Sequence, residues 1–351
     1  MKRTKAGIIS IVLLGMVCLG MSGCKLKKTE DHMTTAVQLI ENFEYEEALL
    51  TLEEVAADGE NKQQIARAKG IAYVGLTRYE EATECFLEAL SYSSIFPSDL
   101  DYDLNYYLAD AYEKMGNSEQ AVGVYTDILT LKPNEVNAHF LRGRLYLIGG
   151  EYEKALTDFN RTVALDKDGY DLRIEIAGLL SSAGYEEEGL KYLQEFLSEN
   201  EKKLSDYDKG RIYYYMGEFE TAKLSMEKAK SNDSQQVILL LGKSYEQLGD
   251  FNYATSVYKN YLDEHSQAAE IFNQLGLCKL KSGEYEEALS AFRSAANVEN
   301  NGMERTLEFN QIIACEYTGD FKQAAILMES YLKKYPDDET ALREYEFLKT
   351  R

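Results

Sequence analysis

The chain has 351 residues and a formal net charge of −22 at pH 7, with 60 acidic side chains against 38 basic ones. An excess of negative charge this large excludes a nucleic-acid partner on bulk electrostatics. The three histidines lie in separate regions, and no two of them have the spacing of a zinc site. The sequence contains no nucleophile elbow, phosphate-binding glycine loop or dinucleotide fingerprint. We therefore expect a protein that works by binding, without catalysis and without a cofactor.

The amino terminus is basic, then apolar, and then reaches a cysteine. A basic start over residues 1–5 precedes an apolar run over 6–20, and two small residues, Ser22 and Gly23, come directly before Cys24. The basic start suits a membrane surface, the apolar run suits insertion, and small residues suit a signal peptidase. This segment resembles the signal peptide of a bacterial lipoprotein.

The resemblance implies that residues 1–23 are removed and that Cys24 carries lipid. Residues 24–32 would then be the lipidated cysteine and a short tether, and the remainder would face away from the cytoplasm on the cell membrane. With two membranes, Lys25 would favour export to the outer one, as the family's sorting rule implies. The alternative is an uncleaved signal anchor, because residues 6–23 could barely span a bilayer.

A short pattern recurs through the rest of the chain with a period close to 34 residues. A glycine is followed two residues later by an aromatic residue and three residues after that by an alanine. Six copies are clear, one of them with serine in the aromatic position, and three are degenerate. The nine alanine positions hold Ala48, Ala82, Ala121, Ala155, Gly189, Ala222, Ala254, Ala288 and Ala324.

The residues of one copy predict two helices and a turn. About seven residues before the glycine, a small residue precedes a tyrosine by three, as in Gly143 and Tyr146, which places both on one helix face. The glycine ends the first helix by adopting a left-handed conformation. The alanine lets a second, antiparallel helix approach closely. One pair cannot bury both faces, so we expect the pairs to stack.

These positions resemble the tetratricopeptide repeat over roughly residues 29–337. In that family the twenty-fourth position is aromatic, and here it holds Phe86, Tyr125, Phe159, Tyr258 and Phe292. The resemblance implies an all-α fold, a right-handed superhelical solenoid of about nine antiparallel helix pairs over residues 33–337. Ala341, Leu342, Tyr345 and Leu348 predict that residues 338–351 form a capping helix. An insertion over 91–103 is expected to project from one edge and to be able to carry contacts.

The resemblance also implies a ligand groove on the concave face, lined by each first helix. The fifth position of the first helix is aromatic in four repeats and the ninth position is basic in three, with Tyr214 and Tyr215 beside them. We expect this groove to bind an extended or helical peptide with acidic groups. The carboxylate-clamp lysine and asparagine of some family members are absent, so a chaperone-type terminal motif is not implied. The predicted lining is Tyr106, Phe140, Arg144, Tyr207, Arg211, Tyr214, Lys243 and Phe309.

The sequence therefore predicts a membrane-anchored scaffold that gathers other envelope proteins. One alternative is an assembly factor that presents a substrate chain to an envelope machine. Another is an accessory protein that binds glycan or peptidoglycan strands through its aromatic residues, and self-association through the ends of the array is a third. Cys85, Cys278 and Cys315 are expected to be buried thiols, although Cys278 and Cys315 lie on neighbouring first helices.

Overall fold

The computed structural model describes residues 23–57, 61–230 and 234–351. Residues 1–22, most of the predicted signal peptide, lie outside the described residues. The described part divides into two compact units, 23–165 and 166–351, and contains nineteen α-helices and one short 3-10 turn, Glu201–Lys203, with no strand.

The helices of the first unit are α1 (Gly23–Glu41), α2 (Tyr45–Ala57), α3 (Lys62–Gly75), α4 (Tyr79–Ser91), α5 (Asp99–Lys114), α6 (Ser118–Leu131), α7 (Val136–Ile148) and α8 (Tyr152–Leu165). Those of the second are α9 (Asp171–Ser182), α10 (Glu186–Asn200), α11 (Asp206–Tyr215), α12 (Phe219–Ala229), α13 (Gln235–Gln247), α14 (Phe251–Glu264), α15 (Ala269–Lys281), α16 (Tyr285–Ala296), α17 (Glu304–Tyr317), α18 (Phe321–Lys334) and α19 (Glu339–Leu348).

Within each unit, every odd-numbered helix pairs with the helix that follows it, from α1 with α2 to α17 with α18. Consecutive odd-numbered helices also contact one another, as α1 contacts α3 and α3 contacts α5 in the first unit. The second unit repeats this arrangement with α9, α11, α13 and α15. In each unit we call the surface that its odd-numbered helices present the first-helix face. The prediction of an all-helical array of helix pairs is confirmed.

The turn between the helices of each pair requires a left-handed residue. Gly150 has φ 77°, and its own NH and that of Glu151 donate to the carbonyls of Leu147 and Tyr146 (3.0 and 2.7 Å), which closes the end of α7. Thr77 and Phe43 stand at the same place in two of the three degenerate repeats, with φ 58° and 64°. The turn geometry is therefore kept even where the glycine is missing.

The eighth and twenty-fourth positions of a repeat pack directly on each other. A Cβ on Gly242 would lie 2.2 Å from the ring of Tyr258, and one on Gly276 would lie 2.4 Å from the ring of Phe292. Both rings are fully buried. Because glycine at the eighth position of these repeats has no side chain, the aromatic ring of the second helix can lie against the backbone of the first.

The carboxyl-terminal helix α19 packs on α18. Ala341 and Leu348 are buried in this contact, whereas Leu342 is 43% exposed. Asp338 caps the helix by accepting from the backbone NH groups of Thr340 and Ala341. Its other oxygen, Oδ2, accepts hydrogen bonds from Arg305 and from the hydroxyl of Tyr331, each at 2.7 Å. The predicted capping segment is thus a helix tied to the last pair.

The first described helix begins at Gly23. Residues 24–32, which were expected to form a tether, are therefore helical and lie within α1. Between α4 and α5, the inserted segment carries Ile95 and Phe96 on its surface, 94% and 85% exposed. Among the described residues, no helix combines the length and the apolar character needed to cross a membrane.

Candidate functional site

In the first unit, Arg144 on α7 is held by a glutamate of the preceding repeat. Its guanidinium forms an ion pair with Glu113 on α5, and the hydroxyl of Tyr125 donates to the same carboxylate at 3.0 Å. Burial is the main cause of the raised pKa of Tyr125, and Glu113 adds to it. The charge of Arg144 is therefore compensated inside the protein, which leaves less of it for an acidic ligand.

Two aromatic residues predicted to line the groove in this unit take part in packing. Tyr106 lies against Tyr125 with a centroid separation of 6.0 Å, and burial is the largest cause of its raised pKa. Phe140 is only 6% exposed and packs at 6.3 Å from Phe159. Phe140 thus has little surface to offer a ligand.

In the second unit, Arg211 on α11 is enclosed by partners on two helices. It forms an ion pair with Asp171 at 2.9 Å, and its guanidinium carbon lies 5.2 Å and 5.9 Å from the ring centroids of Tyr170 and Tyr207. Burial raises the pKa of Tyr207, with Arg211 opposing that change. Arg211 and Tyr207 lie close together, but Asp171 already compensates the charge of Arg211 within the protein.

Lys243 on α13 differs from both arginines. It is half-buried and makes no hydrogen bond, ion pair or ring contact with any other residue in the described ranges. Among the three predicted basic residues it is therefore the one whose charge is open to a ligand. Phe309, on α17, packs at 5.6 Å from Tyr331 and belongs to the core between the last repeats.

Besides Glu113, a second glutamate that the sequence analysis did not identify accepts several hydrogen bonds on the first-helix face. Glu246, on α13, is buried and accepts hydrogen bonds from Tyr258 and Gln274, both at 2.8 Å, and from Lys281 at 3.0 Å. It stands at the same repeat position as Glu113, the twelfth. In both repeats the twenty-fourth position is tyrosine, and this pairing of glutamate with tyrosine was a signal available in the sequence.

Tyr214, the last of the predicted groove residues on α11, forms part of the wall of a pocket of about 400 Å³. Its ring centroid lies 5.6 Å from that of Tyr215 and 5.4 Å from that of Phe219, both nearly edge to face. The pocket lies among α9, α10, α11 and α12. Its other lining residues include Gly178, Ser181, Ser182, Glu186 and Leu190.

Cys85, Cys278 and Cys315 are free thiols, with Cys278 and Cys315 buried as expected and Cys85 only half-buried. Burial raises the pKa of Cys85 and of Cys278 to about 11, so neither is a thiolate at neutral pH. Cys315 is buried, and its pKa is raised by the same cause. Their structural role is that of small apolar side chains. No group of three or more metal-ligating side chains occurs in the part of the chain that the structure describes.

Three solved structures show how far the likeness to known folds extends. A tetratricopeptide repeat protein from Parabacteroides merdae ATCC 43184 is 17% identical, with 82% of this chain and 99% of that one covered and a TM-score of 0.45. YrrB, described as a TPR protein with an unusual peptide-binding site, is 21% identical, with 54% and 97% covered and a TM-score of 0.36. MamA 41-end from Desulfovibrio magneticus RS-1 is 18% identical, with 50% and 97% covered and a TM-score of 0.41. Such low scores say nothing of what this chain binds.

Sequence models of a known family match the chain directly. One model described as tetratricopeptide repeat matches residues 67–133, 106–170 and 239–302, and a second of the same description matches 207–236. Together they cover more than half of the chain, and the matched residues coincide with helix pairs in the structure. The chain belongs to the tetratricopeptide-repeat family, whose arrays are protein-interaction scaffolds and are generally non-catalytic.

Proposed function

We propose that this protein is a lipid-anchored scaffold that binds other envelope proteins on the extracytoplasmic side of the membrane. The proposal rests on the presence of two features in the same chain. A lipoprotein-like segment ends at Cys24, and the helices that follow form an interaction array. A diacylglycerol on Cys24 would hold the array at the membrane surface, because two acyl chains give stable attachment where one alone would not.

The anchor is tested by metabolic labelling with an alkyne analogue of palmitate in the producing cell. Wild type is expected to be labelled and to enter the detergent phase on Triton X-114 partition. Cys24→Ser is expected to lose the label, and Cys18→Ser, a change inside the segment to be removed, is expected to keep it. Labelling of Cys24→Ser equal to that of wild type would refute lipidation at this residue.

For the binding surface we propose the first-helix face, with Lys243 as its available charge. Arg144 and Arg211 are held by Glu113 and Asp171, so changing either would disturb the fold as well as the surface. Lys243 has no such partner among the described residues, and its replacement reports on binding more cleanly.

A crosslinked pull-down from the producing cell's envelope tests this surface. Lys243→Glu is expected to lose a partner that wild type captures, and the capture by wild type is expected to weaken in high salt. Lys259→Glu is the matched control, since it makes the same charge change on an exposed position of α14, the second helix of the same pair. Equal loss in both variants, or loss in neither, would remove Lys243 from the binding surface.

A further inference from the structure

The pocket among α9, α10, α11 and α12 exists because the fifth repeat has unusually small side chains on the first-helix face. Gly178, Ser181 and Ser182 occupy its ninth, twelfth and thirteenth positions. The next repeats carry Arg211 and Lys243 at the ninth position. A Cβ placed on Gly178 would meet nothing within 4 Å. The space is therefore open toward the face to which the proposed function assigns the partner.

The walls of this pocket are aromatic and acidic. Tyr214, Tyr215 and Phe219 supply three rings, and Tyr215 is 50% exposed. Glu186 is exposed and forms no ion pair within the described part of the chain. No lysine or arginine lines the pocket. Ring faces and a carboxylate without a neighbouring cation form a site complementary to positive charge.

Other tyrosines on the odd-numbered helices already carry a cation from this chain. Tyr73 lies under Arg78 at 4.7 Å, Tyr146 under Lys154 at 5.1 Å and Tyr245 under Lys223 at 5.5 Å. Within the described residues, none of the cation–ring contacts involves the three pocket rings. Arg211, on the same helix as Tyr214 and Tyr215, faces Tyr170 and Asp171.

We propose that this pocket receives a lysine or arginine side chain of a partner polypeptide. The charged head lies over Tyr214 and Tyr215 beside Glu186, and the alkyl stem packs against Leu190 and Phe219. The inference rests on the proposed function, in which the first-helix face binds a protein, and it specifies one side chain of that partner. The chemistry is opposite to that of the acidic peptide expected from the sequence.

The pocket is tested by NMR titration of the full chain in detergent with three blocked pentapeptides. Each has the form Gly-Ser-X-Ser-Gly, where X is lysine, norleucine or glutamate. The lysine peptide is expected to bind about five to ten times more tightly than the norleucine peptide, and the glutamate peptide is expected not to bind. Equal binding of lysine and norleucine would overturn the proposal, because the pocket would then recognise only apolar area.

Variants locate the binding. Glu186→Gln is expected to lower the affinity for the lysine peptide several-fold. Glu187→Gln, which makes the same charge change on the next exposed residue, is expected to leave that affinity unchanged. Gly178→Leu fills the space and Tyr215→Leu removes an exposed ring, and each is expected to abolish the preference for lysine, with circular dichroism verifying the fold. A preference that survives both variants would place the binding elsewhere on the acidic surface. Since the titration needs no natural partner, its outcome is independent of the pull-down. Failure of the titration alone would overturn the pocket, and failure of the pull-down alone would overturn the proposed role of Lys243.

Discussion

At the scale of single residues, the turn within each repeat sets a backbone requirement that only some side chains meet easily. Thr77 adopts φ 58° at a position where Gly150 adopts φ 77°. A β-branched residue in the left-handed region is strained, at a cost of roughly 1–2 kcal/mol. The second repeat therefore keeps its turn because the surrounding helices hold it.

Thr77→Gly is expected to raise the free energy of unfolding by about 0.5–1 kcal/mol, since relief of strain exceeds the added entropy of the unfolded chain. Gly150→Ala, which imposes the same strain on a turn without a steric obstacle, is expected to lower it by about 1 kcal/mol. Urea unfolding midpoints measure both. A lower midpoint for Thr77→Gly would show that the threonine makes a compensating contact.

At the scale of helices, glycine serves two different purposes on the first helix of a repeat. At Gly242 it admits the ring of Tyr258, which in turn donates to Glu246 at 2.8 Å. At Gly178 it leaves open space. Glycine is thus required for packing at the eighth position, whereas at the ninth position it leaves space on the first-helix face.

This difference predicts opposite effects of one substitution. Gly242→Ala is expected to lower the free energy of unfolding by about 1–3 kcal/mol, because the Tyr258 ring must move away from its place. Gly178→Ala is expected to raise it by up to about 1 kcal/mol through helix propensity alone. Thermal unfolding of the two variants beside wild type tests the pair, and a change of the same sign in both would contradict this account.

At the scale of the whole molecule, the last repeat ends differently from those before it. Glu113 and Glu246 each receive a cation from the following repeat. Glu316, on α17, stands at the same twelfth position, but the next odd-numbered helix is α19, which carries Glu344 where a cation would be expected. Burial, with Glu344 second, raises the pKa of Glu316 to about 7. Its Oε1 is buried and accepts no hydrogen bond from the described residues.

Docking of α19 is therefore expected to depend on pH. An acid whose pKa is raised in the folded state binds its proton more tightly in that state than in the unfolded chain. The contribution of Glu316 to stability is therefore fully present below about pH 4.5 and is lost as the pH rises towards 7. Asp338 acts in the opposite sense, because Arg305 and Tyr331 lower its pKa and its contribution is lost as pH falls below about 4.

Unfolding midpoints measured from pH 4.5 to 8 are expected to fall more steeply for wild type than for Glu344→Gln, which removes one of the two facing carboxyls. Glu346→Gln on the same helix, exposed and paired with Lys349, is expected to keep the wild-type slope. Identical slopes for wild type and Glu344→Gln would show that the two carboxyls do not share this titration.

The sequence by itself determined the helix pairs and their turns. Glycine, alanine and aromatic residues at fixed spacing encode contacts within one repeat, such as Gly276 against the ring of Phe292, and contacts this local are specified by periodicity alone. Cys24 and the residues before it remain a prediction from the sequence. The number of helix pairs could be read directly from the recurring alanine position, even where Phe43 and Thr77 replaced the glycine.

Only the tertiary structure decided which side chains of the first-helix face are available. The sequence predicted that Arg144 and Arg211 would be available to a ligand. Their partners, Glu113 and Asp171, lie in the preceding repeat, and the spacing of residues within one repeat does not predict contacts between repeats. The pocket at Tyr214 likewise depends on small residues of one repeat facing rings of the next. Charge pairing and empty space are properties of neighbouring helices in three dimensions, and a linear pattern specifies them only after the stacking is known.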